Sequence, residues 1–273
     1  MKVFVKFIFF SLGAIALLAP FTFLKPIFNK PLPVVIVEPE KPLPVKPPEK
    51  PMHSVNLPDF SAIGNTQLKK QRFFNFLKPT IINANNRLLA LRNSVVAIEE
   101  KLGIDTPLSP DEIVFLNTQT KIFRIKGDLT YFQQVHQLLN RIDIIPTELI
   151  LVQAANESAW GTSRFARIGL NFFGLWCYKK GCGMIPNSRI SGGKHEVAAF
   201  QSLEEAVDKY LYNINTHYAY EVFRSIRQQL REQEQPLSPQ ILATGLLPYS
   251  ERGVDYVSEI INMLRHNAKY IKE

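Results

Sequence analysis

Cysteine is nearly absent from this chain of 273 residues, with only Cys177 and Cys182 in "CYKKGC", so no framework of disulfides can hold it together. Its stability must come from a packed core, which a chain of this length is able to bury. Basic runs are missing as well. The 32 Lys and Arg against 24 Asp and Glu give +8, but the cations are scattered and no stretch matches a nucleic-acid-binding motif. Nucleic acid is therefore not an expected partner, and an anionic membrane surface or wall polymer is left. A zincin is also excluded, because "HEVAA" has Ala199 where H-E-x-x-H needs its second histidine. Charge is absent from Phe7 to Leu24, a run near the length needed to cross a bilayer, and no A-x-A-like cleavage site follows it. Residues 1–25 are thus expected to be an uncleaved anchor, the alternative being a signal segment that is removed. Lys2 and Lys6 would stay inside, and everything after Lys25 would be exported, giving a single-pass inner-membrane protein with its domain in the periplasm.

What is present divides the remainder in two. Residues 26–60 hold more than half of the 19 prolines, a density that favours extended polyproline II over a core. As a semi-rigid spacer of about thirty residues, this linker would reach up to ~90 Å from a membrane. Residues 61–273 read as one mainly α domain. "SPDE" offers Ser109 as N-cap, Pro110 at the first helical position and Glu112 to complete a capping box. "SLEEAVDKYLYNINTH" repeats the device with Ser202 and Glu205, and Leu203, Ala206, Val207, Tyr210, Leu211 and Ile214 then fall on one helical face. Val257, Ile260, Ile261 and Leu264 form a similar stripe. Both stripes are read as core.

Residues 161–193 break the pattern with seven of the thirteen glycines, and "HEVAAF" reads as a short strand returning from a Gly-rich turn, so a small β-hairpin lobe is expected. Trp160, Trp176, Phe165, Phe172, Phe173 and Tyr178 cluster in or beside it. Their flat faces suit a binding cleft, the alternative being an apolar plug beneath a loop. In an exported domain Cys177 and Cys182 are expected to form a short local disulfide, the competing assignment being a metal site that adds His195 and His217.

"DIIPTELILVQAANESAW" reads as a helix that starts near Pro146 and Thr147, buries Leu149, Ile150, Val152 and Ala155, and ends near Gly161. Glu157 then lies in its last turn, where the negative end of the helix dipole and apolar Trp160 both favour the protonated carboxyl that a general acid needs. Arg164 and Arg167 stand against this, since either could hold Glu157 ionised in a structural pair. The next acid along the chain is Glu196, a candidate second carboxylate or a solvated hairpin position.

"ESAWGTSRFA" with "NFFG", followed by "HEVAAFQSLEEAVDKYLYNINTHYAYEVFRSIR" and "LATGLLPYSERGVDYVSEIINML", resembles the glucosaminidase superfamily related to family 73 glycoside hydrolases, over about residues 65–273. The resemblance implies a lysozyme-like, mainly α fold with a small β-lobe, and endo-acting β-N-acetylglucosaminidase chemistry on β-1,4 bonds of peptidoglycan. It places the general acid at Glu157 and a site tyrosine at Tyr220, with Tyr218 as the alternative. A second carboxylate from the lobe would have to be Glu196. Trp160, Ser163, Asn171, Phe173, Trp176 and Tyr218 are the implied glycan-binding residues. Neither a metal nor a cofactor is expected, and the chain is expected to act as a monomer. A lytic transglycosylase and a non-catalytic wall-binding module are the alternatives.

Overall fold

The computed structural model describes residues 49–125, 128–186 and 192–272. The expected anchor and most of the expected linker lie outside these residues. Among the described residues no helix is long and apolar enough to cross a membrane. Residues 49–60, counted with the linker on composition, lie against the helical domain: Met52 N–H donates to the Ile168 carbonyl at 2.8 Å, and Phe60 is 1% exposed within the core.

The architecture is helical with a small sheet. A long helix α1 (Thr66–Gly103) carries α2 (Pro110–Ile122) and α3 (Tyr131–Arg141) at its C-terminal end around a satellite core of Val95, Leu116, Val135 and Leu138. Along the rest of its length it packs on α4 (Thr147–Glu157), α6 (Leu203–Thr216) and α9 (Val254–Lys272). Between these elements come α5 (Arg164–Gly169), three short strands, a 3₁₀ turn (Tyr218–Tyr220), α7 (Glu221–Glu232), α8 (Pro239–Ala243) and a second 3₁₀ turn (Thr244–Tyr249).

Helix α4 is the centre of the main core. Every residue from Leu149 to Ala155 is buried, not one face alone, because α1, α8 and α9 surround it. The capping box at Ser109 and Glu112 forms as its spacing requires. At α6, Ser202 accepts from Glu205 N–H at 3.1 Å, but the Glu205 carboxylate reaches one residue further back, to Gln201 N–H at 2.8 Å. The six-residue stripe on α6 is buried throughout, and so are Val257, Ile260 and Leu264 on α9.

The lobe is a three-stranded antiparallel sheet rather than a hairpin. β3 (Glu196–Ala198) lies between β1 (Trp176–Cys177) and β2 (Gly183–Met184). Trp176 pairs with Val197 and Cys177 with Glu196 on one side, and Gly183 pairs with Ala198 on the other. Cys177 and Cys182 form the expected disulfide. Joined sulfurs no longer offer thiolate ligands, so the metal assignment fails. Gly183 has no substitute: a Cβ there would lie 2.0 Å from the Val197 carbonyl oxygen.

A buried ionic knot ties the helices together ahead of the N-terminal end of α4. Asp143, on the α3–α4 connection, accepts from Arg231 Nε and Nη2 at 3.0 and 2.8 Å, with Arg92 at 3.5 Å and Arg227 at 3.9 Å. Arg227, itself fully buried, also donates to Asn215 Oδ1 at 2.7 Å and to the Asn140 carbonyl at 2.9 Å. One carboxylate thus fastens α1 to α7, the helix that follows the Tyr218–Tyr220 turn.

Candidate active site

Glu157 is the last residue of α4, as the sequence places it. What stops the helix is a run of left-handed backbone at Ala159, Trp160 and Gly161 (φ 49°, 59° and 76°). The first two cost about 1–2 kcal/mol each as residues with a Cβ. Side-chain bonds and packing hold them there. Ser158 Oγ donates to the Ala154 carbonyl at 2.6 Å and accepts from Gly161 N–H at 2.8 Å, and the Trp160 ring packs edge-on against Phe73 and Phe74. The strain thus sits beside the acid, where functional sites often store it.

Glu157 opens onto a groove of about 610 Å³ between the helical body and the lobe. Its walls include Phe165, Phe173, Trp176, Tyr178, Val197, Asn213, His217, Tyr220 and Tyr249. This lies within the size range of ligand clefts, and its aromatic faces suit the apolar faces of sugar rings. Trp176, 58% exposed and stacked on His195 at 4.4 Å, and Tyr178, 74% exposed, form the lobe's free edge. Gly174, at φ +64°, brings bare backbone close to the acid; a Cβ there would lie 3.6 Å from Glu157 Oε2.

Burial pushes the Glu157 carboxyl above the usual range, against the lowering pull of hydrogen bonds from Tyr256 and Asn156 and of the Arg252 charge. The two arginines expected to oppose this are engaged elsewhere. Arg164 pairs with Glu49 at 2.5 Å, and Arg167 Nε donates to the Thr162 carbonyl at 3.1 Å. Tyr220, held next to the groove by the 3₁₀ turn, is pushed up to about 12, first by burial and then by the Glu157 charge, with a hydrogen bond to Asn213 acting the other way. It is therefore a neutral hydroxyl donor at any ordinary pH.

The other sequence candidates separate. Phe173 and Trp176 line the groove with Glu157 and Tyr220. Tyr218 is 81% exposed and stacks on His217 at the groove's edge. Glu196 faces away, because side chains alternate along a strand and its neighbour Val197 faces the groove. Its two oxygens accept from Gly181 and Gly183 N–H at 3.0 and 2.9 Å, and one of them lies within 4.8 Å of both disulfide sulfurs. It is 5% exposed, so neither a solvated hairpin position nor a groove wall describes it.

Asn171 and Ser163, expected among the glycan-binding residues, do not line the groove. Asn171 Nδ2 donates to the Leu175 and Ala198 carbonyls, both at 2.8 Å, fastening the lobe to the body, while Ser163 caps α5. Trp160 borders a separate groove with Lys70, Arg252 and His266.

Sequence reasoning missed Asn213 and Tyr249 in the wall and Tyr256 behind the acid, and offered His217, also in the wall, only as a metal ligand. The Pro-Tyr pair at Pro248 and Tyr249, inside a segment that carries the family resemblance, was the available signal. Tyr256 is one residue before the apolar stripe of α9, and burial hides its hydroxyl from pattern reading.

The family model described as Glucosaminidase, mannosyl-glycoprotein endo-beta-N-acetylglucosaminidase, matches residues 132–269. The chain is 32% identical over 219 residues to Protein bax of Escherichia coli (strain K12), an alignment that covers 80% of this chain and 77% of that protein. No solved structure matches.

Proposed function

The chain belongs to the glucosaminidase family, a family of glycan-acting hydrolases, and from that premise we propose that it is an endo-acting β-N-acetylglucosaminidase of peptidoglycan with Glu157 as its general acid. One observation carries the reading: a half-buried carboxyl, raised by burial, opens onto a groove walled with aromatic rings. In the proposed reaction the Glu157 proton passes to the leaving glycosidic oxygen as the bond to the anomeric carbon breaks. Among the described residues lining the groove Glu157 is the one carboxylate, so the nucleophile is assigned to the sugar's own acetamido oxygen. Tyr220 donates to that group and orients it. Water then opens the cyclic intermediate, returning a proton to Glu157.

The single carboxylate equally suits a lytic transglycosylase, in which a hydroxyl of the sugar itself replaces water. Mass analysis of the products separates the two. Purified peptidoglycan is expected to yield fragments ending in reducing N-acetylglucosamine. Anhydro-muramic ends, one water lighter, would establish the transglycosylase instead. Binding of glycan strands with no fragment released at any pH would leave a wall-binding module.

The same reading puts the domain outside the cytoplasm, held to the inner membrane by residues 1–25. N-terminal sequencing of the mature protein is expected to find the anchor intact, and a start beyond Phe21 would show that it is removed.

A further inference from the structure

Behind Glu157 lies a line of buried polar groups that the proposed reaction does not use. Gln153 is one turn before Glu157 on α4 and is completely buried, as is Tyr210 of α6, while Tyr256 of α9 is 1% exposed. Polar groups buried so deeply must satisfy one another. Tyr210 Oη donates to Gln153 Oε1 at 2.5 Å, and Gln153 Nε2 donates to Tyr256 Oη at 3.0 Å. Tyr256 is in turn hydrogen-bonded to the Glu157 carboxyl.

The direction of this chain follows from the chemistry of its links. An amide nitrogen only donates, so the Tyr256 oxygen is an acceptor toward Gln153. Its own proton is then left for Glu157. Tyr256 cannot supply that proton as an ionised acid, because burial, then the neighbouring Glu157 charge, pushes its hydroxyl far above the usual range.

We propose that Gln153 and Tyr256 are positioning residues for Glu157: the chain from Tyr210 through Gln153 fixes Tyr256 as a donor to one carboxyl oxygen, leaving the acid's proton on the other oxygen, toward the groove. The assignment rests on the reading of Glu157 as general acid. It has two consequences. The proton is held where a glycosidic oxygen can take it, and the carboxylate left after transfer is stabilised by a donor already in place, with no solvent reorganisation. Other groups act on Glu157 from the same surroundings. Arg252, on the turn before α9, lowers it; Glu259 of α9 raises it; the Asn156 side chain on α4 lowers it; and Tyr220 and Tyr249 face it across the groove. All of these stay unchanged in the test.

The test is Tyr256→Phe and Gln153→Met, alone and together, read in two ways. ¹³C NMR of the Glu157 carboxyl, assigned by its loss in Glu157→Gln, gives the titration midpoint with no reliance on turnover. Peptidoglycan turnover against pH gives kcat, KM and the alkaline limb. Tyr256→Phe is expected to raise the midpoint and the alkaline limb together, because a bond favouring the carboxylate is gone, while kcat falls about 10- to 100-fold, the scale of one hydrogen bond to a charge, and KM changes little. More of the acid in its active form with a slower reaction is a combination that general loosening of the fold does not give.

Gln153→Met is expected to move the midpoint the same way by less, and to add nothing once Tyr256 is phenylalanine, since it acts only through that hydroxyl. An unmoved midpoint in Tyr256→Phe, or additive shifts in the double variant, would overturn the proposal; so would an amide pointing the other way, since Tyr256 would then donate to Gln153. A raised midpoint supports the wiring even if Glu157→Gln keeps its turnover, a result that would sink the acid role alone.

Discussion

Glu157→Gln is expected to lower peptidoglycan turnover by about 10²- to 10⁴-fold, with kcat carrying the loss and glycan binding kept, because glutamine keeps the shape and removes the transferable proton. The stability of the same variant should move the other way. A group whose folded pKa lies above its unfolded value contributes stability below the unfolded pKa and loses it as pH rises through the folded pKa. Glu157 is such a group, raised by burial, so at neutral pH its ionisation opposes folding. Glu157→Gln, which never ionises, is expected to melt no lower than wild type at pH 7.5, and the comparison should turn toward wild type at pH 4. A variant with near-normal turnover would eliminate the acid role. One that melts well below wild type at neutral pH would show that the carboxylate is structural.

The largest effect on stability is expected at Asp143. Removing it by Asp143→Ala leaves Arg227 buried with no counter-ion and takes the shared acceptor from Arg92 and Arg231, and breaking a buried pair on one side typically costs about 3–5 kcal/mol. In a domain of this size that is a fall of about 6–20 °C in Tm. Burial alone would push the Asp143 carboxyl up, but the hydrogen bond from Arg231 and the charges of Arg227 and Arg92 outweigh it and hold it below the usual range.

The sign of the pH effect follows. A depressed carboxyl contributes stability above its unfolded pKa and loses it as pH falls through the folded value. The gap between wild type and Asp143→Ala should therefore be full at neutral pH and close as pH falls below about 4. Chemical denaturation at several pH values measures this. A gap under about 1 kcal/mol at pH 7 would show that the arginines find other partners. Because the knot fastens α7, which continues from the Tyr218–Tyr220 turn, the variant should also lose turnover at temperatures where it is still folded.

The sequence by itself determined the elements whose causes are local. Ser109 with Pro110 and Glu112 starts a helix through bonds within one turn, and the stripe on α6, like Val257, Ile260 and Leu264 on α9, is buried because its period matches the helix, with Ile261 half-buried at the margin. Cys177 and Cys182 had only each other to pair with. Glu157 was legible for the same reason: its place at the end of α4 follows from the span of apolar residues before it and the turn after it.

Only the tertiary structure decided what depends on register and on partners distant in sequence. Glu196 is the one acid of the lobe, but a strand sends alternate side chains to opposite faces, and pairing of Trp176 with Val197 turns Glu196 toward the disulfide loop. Arg164 and Arg167 are near Glu157 in sequence, but Arg164 finds Glu49 and Arg167 the Thr162 carbonyl, so proximity along the chain did not become an ion pair. Tyr210 belongs to a stripe that correctly reads as core, and Tyr256 stands one residue before another. Their hydroxyls meet Gln153 across 57 and 103 residues of chain, and no local pattern records that meeting, because a hydrogen bond depends on where two helices cross and not on what precedes either residue.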